Sequence, residues 1–381
     1  MSHHPHPPAD SRTMTIVAGV TAIASAYVYF LLFAEFAFIG NIRDLAEGTK
    51  ITPLMVALGL SGIGGSLGSA FCFDEDRSTR QLVIGFAGCA LAAGLSLLSH
   101  NPIFAIGSAV LVGGSLSWTT VILALCLRPS LHLKRLGTYC GLGTGLAYAF
   151  CNQPLVFNAT PHTQTNIAIF AALLGLVVSF RLKGTPTKHS TSLDYSRLLV
   201  GLWVLLFLGL VWLDSSAFFI IQNSPELKAA TWDGVITLQG NAFVHLCAAV
   251  VAGVALDRRQ LPLTLGFALV ALLGACLLLG GSSQQFPAAR VAYTAGVSIY
   301  STALIFYPAR GGRTWIAGLI FAVSGWLGSA GGLGMAQSLH ALPSLLVIIV
   351  ASVAAVVFFV RHYWLKHERL ERPIGPSPAD A

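Results

Sequence analysis

The chain has 381 residues, 55% of them hydrophobic and only 10% charged, with a mean hydropathy of +0.74. That balance excludes an ordinary soluble globular domain and points to many membrane spans. The net charge of +7 does not indicate nucleic acid, because the basic residues sit in short loops between apolar runs, as topology-setting charge does.

Residues 1–14 lack the apolar core of a signal peptide and read as a disordered cytoplasmic tail, in which His3, His4 and His6 leave metal binding open. Apolar runs of spanning length then lie near 15–40, 51–73, 81–99, 103–126, 137–157, 163–180, 198–222, 233–256, 262–280, 287–308, 314–338 and 343–362. The fold class expected is therefore all-α integral membrane, with twelve transmembrane helices. The first run carries Glu35, the second the small-residue spacing Gly64 and Gly68, and the fourth Ser115, Ser117, Trp118, Thr119 and Thr120. The fifth holds glycines at 137, 141, 143 and 145. Polar segment 182–196 is the natural linker between two halves, 15–181 and 197–362. Beyond it, the seventh run carries Asp214, the eighth Gln239, Asn241 and His245, the tenth Arg290, and the eleventh Gly328 and Gly332. Residues 363–381 form a second tail. The seven cysteines form no CxxC pair and fall mostly inside apolar runs, so they read as packing residues and no metal site is expected.

With a cytoplasmic N-terminus, eighteen of the 22 basic residues fall on the cytoplasmic side: Arg12, Arg77, Arg80, Arg128, Lys134, Arg135, Arg181, Lys183, Lys188, Arg197, Arg258, Arg259, Arg310, Arg313, Arg361, Lys366, Arg369 and Arg372. A single miscounted helix would scramble that bias. It supports a multi-pass protein of the cell (inner) membrane with both termini cytoplasmic.

The halves repeat. Glu35 is followed 41 residues on by Asp76-Arg77, and Asp214 43 residues on by Asp257-Arg258, so the offsets between halves are 179 and 181. The expectation is two pseudo-symmetric six-helix bundles. A carboxylate or guanidinium inside a span is costly and marks function by default, which singles out Glu35, Asp214 and Arg290. Arg290, Tyr293, Val297 and Tyr300 share one helical face, a cation and two phenols suited to an anionic or polar organic group; the alternative is an arginine that reaches the outer headgroups. Desolvation penalises the charged form of Asp214, which fits it to load and release a proton; the alternative is a hydrogen-bonded structural acid. Glu35 can do the same or pair with Arg290. His245, four residues from Asn241 on one face, is a relay candidate or a packing residue.

Residues 72–80, C-F-D-E-D-R-S-T-R, keep Asp76, Arg77 and Arg80 of the pattern G-x-x-x-D-R-x-G-R; residues 253–258, G-V-A-L-D-R, keep Gly253, Asp257 and Arg258. With twelve spans and a central cytoplasmic loop, these two copies make the chain resemble the major facilitator superfamily over essentially its whole length. The resemblance implies that helices one, four, seven and ten line a central cavity, so that Glu35, Asp214 and Arg290 face it, with Trp118 and Asn241 as further lining candidates. It also implies that the Asp-Arg pairs latch the halves on the cytoplasmic side. The G-P-x-x-G-G motif of drug–proton antiporters is not matched, because the proline comes only at Pro154.

Two classes of function fit these residues. A secondary transporter for a small polar organic solute (metabolite, drug or siderophore), coupled to protons or ions, is the first. A transporter-like assembly factor or sensor is the alternative. No GxSxG, HExxH or nucleotide-binding motif occurs, so neither an enzyme nor a cofactor is expected. The expected partners are the solute, protons or ions and the lipid bilayer, with no nucleic acid and a monomeric state.

Overall fold

The computed structural model describes residues 9–46, 51–98, 102–182, 197–339 and 344–371. The N-terminal histidines and nearly all of the 182–196 linker lie outside them. Twelve long helical runs make up these residues. With no water at membrane depth, each apolar segment must pair its backbone groups within itself, and helix is the form that does so. They are α1 (9–46, made of Ala9–Tyr29, a π-helical stretch Phe30–Ala37, and Phe38–Ala46), α2 (Ile51–Phe71), α3 (Ser78–Ser96), α4 (Pro102–Ser130), α5 (Leu136–Cys151), α6 (Pro161–Ser179), α7 (Arg197–Asn223), α8 (Val235–Asp257), α9 (Leu261–Leu279), α10 (Phe286–Gly311), α11 (314–339, with a π-helical stretch Ile320–Leu327) and α12 (Ser344–Glu371).

Ten of the runs are long and apolar enough to cross a membrane; α5, at 16 residues, and α10, interrupted by Tyr, Ser and Thr, are the two that fall short. Proline punctuates the helix starts, where its missing N–H costs nothing: Pro161, Pro225 and Pro287 each stand in a first turn. The apolar reading of 137–157 as one span needs correction. The helix ends at Cys151 and restarts as a single turn at Pro154–Phe157, because proline cannot donate into a continuing ladder. A short helix, Pro225–Trp232, capped by the Ser224 hydroxyl, bridges α7 to α8.

The two six-helix bundles are visible in the pairing. α1 packs on α5 and α6, α2 on α4, and α3 on α4 and α6; six helices later α7 packs on α11 and α12, α8 on α10, and α9 on α10 and α12. Between the bundles α5 packs on α8 and α2 on α11, contacts that exchange with one another under the pseudo-twofold. Inside lipid this packing is driven by close van der Waals fit and hydrogen bonds, since tails are as apolar as leucine. Large side chains that are fully buried (Tyr29, Phe33, Phe38, Phe86, Phe207) mark the bundle interiors. The Gly64 and Gly68 faces meet no neighbouring helix among the described residues; it is Gly62 that lies under the Trp326 ring of α11.

The arginine-bearing loops meet at one end of the molecule, called the basic end below. Arg128 Nη1 donates to the Gly311 carbonyl (3.1 Å), Arg310 Nη1 to that of Leu256 (3.3 Å), and the Thr79 hydroxyl to that of Leu182 (3.0 Å).

Candidate functional site

At mid-depth a polar network joins the two bundles through α10. Asp214 of α7 accepts from the Tyr293 hydroxyl on one carboxylate oxygen (2.6 Å) and from the Tyr300 hydroxyl on the other. The two tyrosines lie seven residues, two turns, apart, so both reach the same carboxylate. On the adjoining face of α10, the Ser298 hydroxyl shares a 2.6 Å hydrogen bond with His245 Nδ1 of α8, and the Ser301 hydroxyl shares one of 3.1 Å with Tyr148 of α5. Tyr27 of α1 donates to the Ser301 carbonyl (2.7 Å). The His245 ring stacks on Tyr148 at 4.6 Å and 24°, and Tyr27 lies 6.0 Å from Tyr148. Four helices, two from each bundle, are thus tied to one, and every phenol in the set has a partner.

Glu35 lies in the π-helical stretch of α1, half-buried, and within electrostatic range of Asp214, Tyr148 and Tyr293. It makes no hydrogen bond to another described residue. A π-turn inserts one residue into the helical ladder and re-aims the side chains beyond it, a feature common at functional positions. Directly after Glu35, Phe36 begins a closed cycle of four rings. Phe36 meets Phe157 at 6.0 Å and Phe218 at 5.3 Å, while Trp232 meets Phe157 at 6.2 Å and Phe218 at 5.4 Å. Phe218 stands one turn from Asp214, away from the basic end. Beyond the rings a cavity of about 460 Å³ is lined by Phe36, Phe157 and Trp232 together with Asn158, Gln222, Lys228 and Asp233.

At the basic end, Asp257 closes α8 onto α5. Its carboxylate accepts from the Gly137 N–H (2.6 Å), the Thr138 N–H (2.9 Å) and the Thr138 hydroxyl (2.6 Å), so it caps the α5 N-terminus across the bundle boundary. An anion is favoured there by the helix dipole and by the unpaired N–H groups of the first turn. Backbones touch where Gly253 faces Gly137, a contact only two glycines permit.

Of the residues marked by the sequence, Asp214, Tyr293, Tyr300 and His245 are drawn into one network. Arg290 is not: it is half-buried one turn from Tyr293, its Nε is buried without a hydrogen-bond partner among the described residues, and no ion pair joins it to Glu35 or Asp214. The Trp118 indole N–H donates to the Gln81 carbonyl (3.0 Å), fastening α4 to α3. Asn241 is a strut, its amide donating to the Thr231 carbonyl (2.8 Å) beside Trp232. The two Asp-Arg motifs are unequal. Asp76 does not cap α11: its N–H bonds Asp74, and Arg77 pairs with Asp74 (3.5 Å) in an exposed local turn. Arg80 and Arg258 make no cross-bundle bond among the described residues, and Arg258 lies at the surface of its loop. Tyr27, Tyr148, Ser298 and Ser301 carried no mark in the sequence, although a tyrosine in the glycine-rich fifth run was a usable signal.

This inequality predicts unequal variants. Asp257→Asn keeps one acceptor and loses the anion at the α5 terminus, a change of about 0.3–1 kcal/mol. It slows solute exchange several-fold with solute affinity unchanged, whereas Asp76→Asn alters the rate by less than about twofold, as exposed charges do. Exchange and equilibrium binding in reconstituted vesicles measure both. A loss of affinity in folded Asp257→Asn contradicts the capping role.

No protein-family model and no curated protein matches the sequence. Solved structures do match its shape. The chain superposes on FucP, a major facilitator superfamily transporter in the outward conformation, with a TM-score of 0.66 at 12% identity, covering 93% of this chain and 99% of that one. It likewise matches the human organic anion transporter MFSD10 (0.61, 14%, 93% and 99%) and an outward-facing bacterial homologue of the iron transporter ferroportin with soaked iron (0.60, 15%, 93% and 98%). At such identities the likeness concerns the fold alone: the chain has the fold seen in major facilitator superfamily structures.

Proposed function

We propose that this chain is a secondary transporter that moves a small polar organic solute across the cytoplasmic membrane by alternating access, with Asp214 carrying the coupling proton. The observation that carries the reading is the double acceptance at Asp214 from two hydroxyls of α10. An ionised carboxylate accepts from both phenols. A protonated one becomes a donor and gives up part of that acceptance. Proton binding therefore changes the grip of α7 on α10. That helix also holds Tyr27 and Tyr148 of the other bundle, so the change reaches the contact between bundles. Glu35 and His245 are the secondary proton sites in this reading, and Arg290, Tyr293 and Tyr300 meet the solute.

The aromatic and amide lining of the cavity favours an organic cargo. The unpartnered Nε of Arg290 favours one with an anionic group, in keeping with MFSD10, an organic anion transporter. We further divide the chain into bundles 15–181 and 197–362 joined by 182–196, place the basic end in the cytoplasm with both termini, and take the working unit as a monomer. The test is a solute-mixture screen in reconstituted vesicles with an imposed pH gradient. One or more organic solutes accumulate, and the accumulation collapses when the gradient is dissipated by a protonophore. Accumulation that ignores the protonophore removes proton coupling; absence of any solute flux removes transport.

A further inference from the structure

We infer that Phe36, Phe157, Phe218 and Trp232 form a gate that separates Glu35 and Asp214 from the outer cavity, at the end opposite the basic loops. Each bundle supplies two corners of the cycle. Phe36 of α1 and Phe157 of the α5–α6 connection come from one; Phe218 of α7 and Trp232 of the α7–α8 connection come from the other. The rings alternate so that two contacts, Phe36–Phe157 and Phe218–Trp232, stay inside a bundle, and two, Phe36–Phe218 and Phe157–Trp232, cross between bundles. Parting the bundles breaks only the two crossing contacts and leaves each half with its own ring pair intact.

The gate lies in the right place. Below it, Glu35 precedes Phe36 in sequence, and Asp214 stands one helical turn from Phe218. Above it is the cavity of about 460 Å³, whose floor is the rings of Phe36, Phe157 and Trp232 and whose rim carries Lys228 and Asp233. Trp232 is fixed from behind. It is buried, and Asn241 holds the carbonyl of the neighbouring Thr231, so the corner is built into α8 and moves with its bundle. A solute reaching the carboxylates from the cavity side must pass between these rings.

Accessibility of the space beneath the rings tests this without any knowledge of the solute, so its failure is separate from failure of the transport reading. The probe is a charged, membrane-impermeant maleimide reacting with Val297→Cys, a buried site between Tyr293 and Tyr300, in full-length protein whose exposed Cys72 and Cys247 are serine. Label is added on the Trp232 side of reconstituted vesicles. Labelling is slow with the rings in place. Phe36→Ala or Trp232→Ala speeds it about two- to tenfold, each removing one crossing ring pair. These two rings share both partners, Phe157 and Phe218, so the double variant speeds labelling further but departs from the product of the single effects. Phe36→Leu and Trp232→Leu, which keep apolar bulk but no ring pair, give the same direction and decide the matter if either alanine variant fails to fold. Trp118→Phe, at the α3–α4 contact, leaves the rate unchanged. Fast labelling with all four rings present, or rates indifferent to ring removal in folded protein, overturns the gate.

Discussion

Asp214→Asn vesicles exchange solute but do not accumulate it against a pH gradient. With one proton carried per solute, a one-unit gradient supports about tenfold accumulation, and in the variant the ratio falls to about one. Asparagine retains an acceptor for one tyrosine of α10 and mimics the protonated carboxylate permanently, so the bundles still exchange positions while the proton has no seat. Glu35→Gln shows a weaker version of the same loss, or a loss of solute affinity if its carboxylate meets the solute directly. The measurement sets gradient-driven uptake beside counterflow exchange in one preparation. Undiminished accumulation in Asp214→Asn moves the coupling site to Glu35 or His245.

Gly253→Ala forces the basic end open. A Cβ there falls inside the Gly137 carbonyl and 3.1 Å from the Thr138 Cα, both backbone, so neither neighbour can swing aside. Overpacking at such a contact costs about 1–3 kcal/mol. That converts to a shift of about five- to 150-fold in the ratio of open to closed basic end. Gly137→Ala meets the Gly253 carbonyl in the same way and gives a similar shift. Spin labels at Arg135→Cys and Arg259→Cys, both exposed at this end, report it as a longer-distance population; an unchanged distance distribution rejects the argument.

Much of the fold was legible because lipid leaves the chain few options. Twelve apolar runs, a loop-charge bias and a repeat of about 180 residues lead to twelve helices in two bundles by length and period alone. At the site, helical spacing was enough to put Tyr293 and Tyr300 on one face, and burial cost was enough to pick Asp214. Helical spacing also put Arg290 on that face, yet its Nε has no partner there among the described residues. A shared face brings a side chain to an interface without saying what stands opposite. For Trp118, too, spacing does not name the neighbour: its N–H donates to the Gln81 carbonyl. The two Asp-Arg motifs looked equivalent in sequence. They diverge because capping depends on the acceptor helix: α5 offers the N–H groups of Gly137 and Thr138 plus a hydroxyl, and Asp76 turns instead to its own loop. The ring cycle had no legible signal, since its four residues come from four separate segments.

The two runs that miss the length-and-apolarity threshold, α5 and α10, are those that carry Tyr148 and the Tyr293, Ser298, Tyr300 and Ser301 set. That bears on how the chain is made. A ribosome-fed segment partitions from the translocon into lipid by its own transfer free energy, and α10, with its hydroxyls unpaired, is a poor candidate to leave alone. Its neighbour α9 is among the most apolar of the helices and packs against it closely. The α9–α10 hairpin therefore enters the bilayer as a unit, the greasy member carrying the polar one. Asp214 and His245, on the earlier-made α7 and α8, already stand ready when the hydroxyls of α10 arrive. The polar side chains that burden α10 on entry are thus the ones that later meet Asp214 and His245.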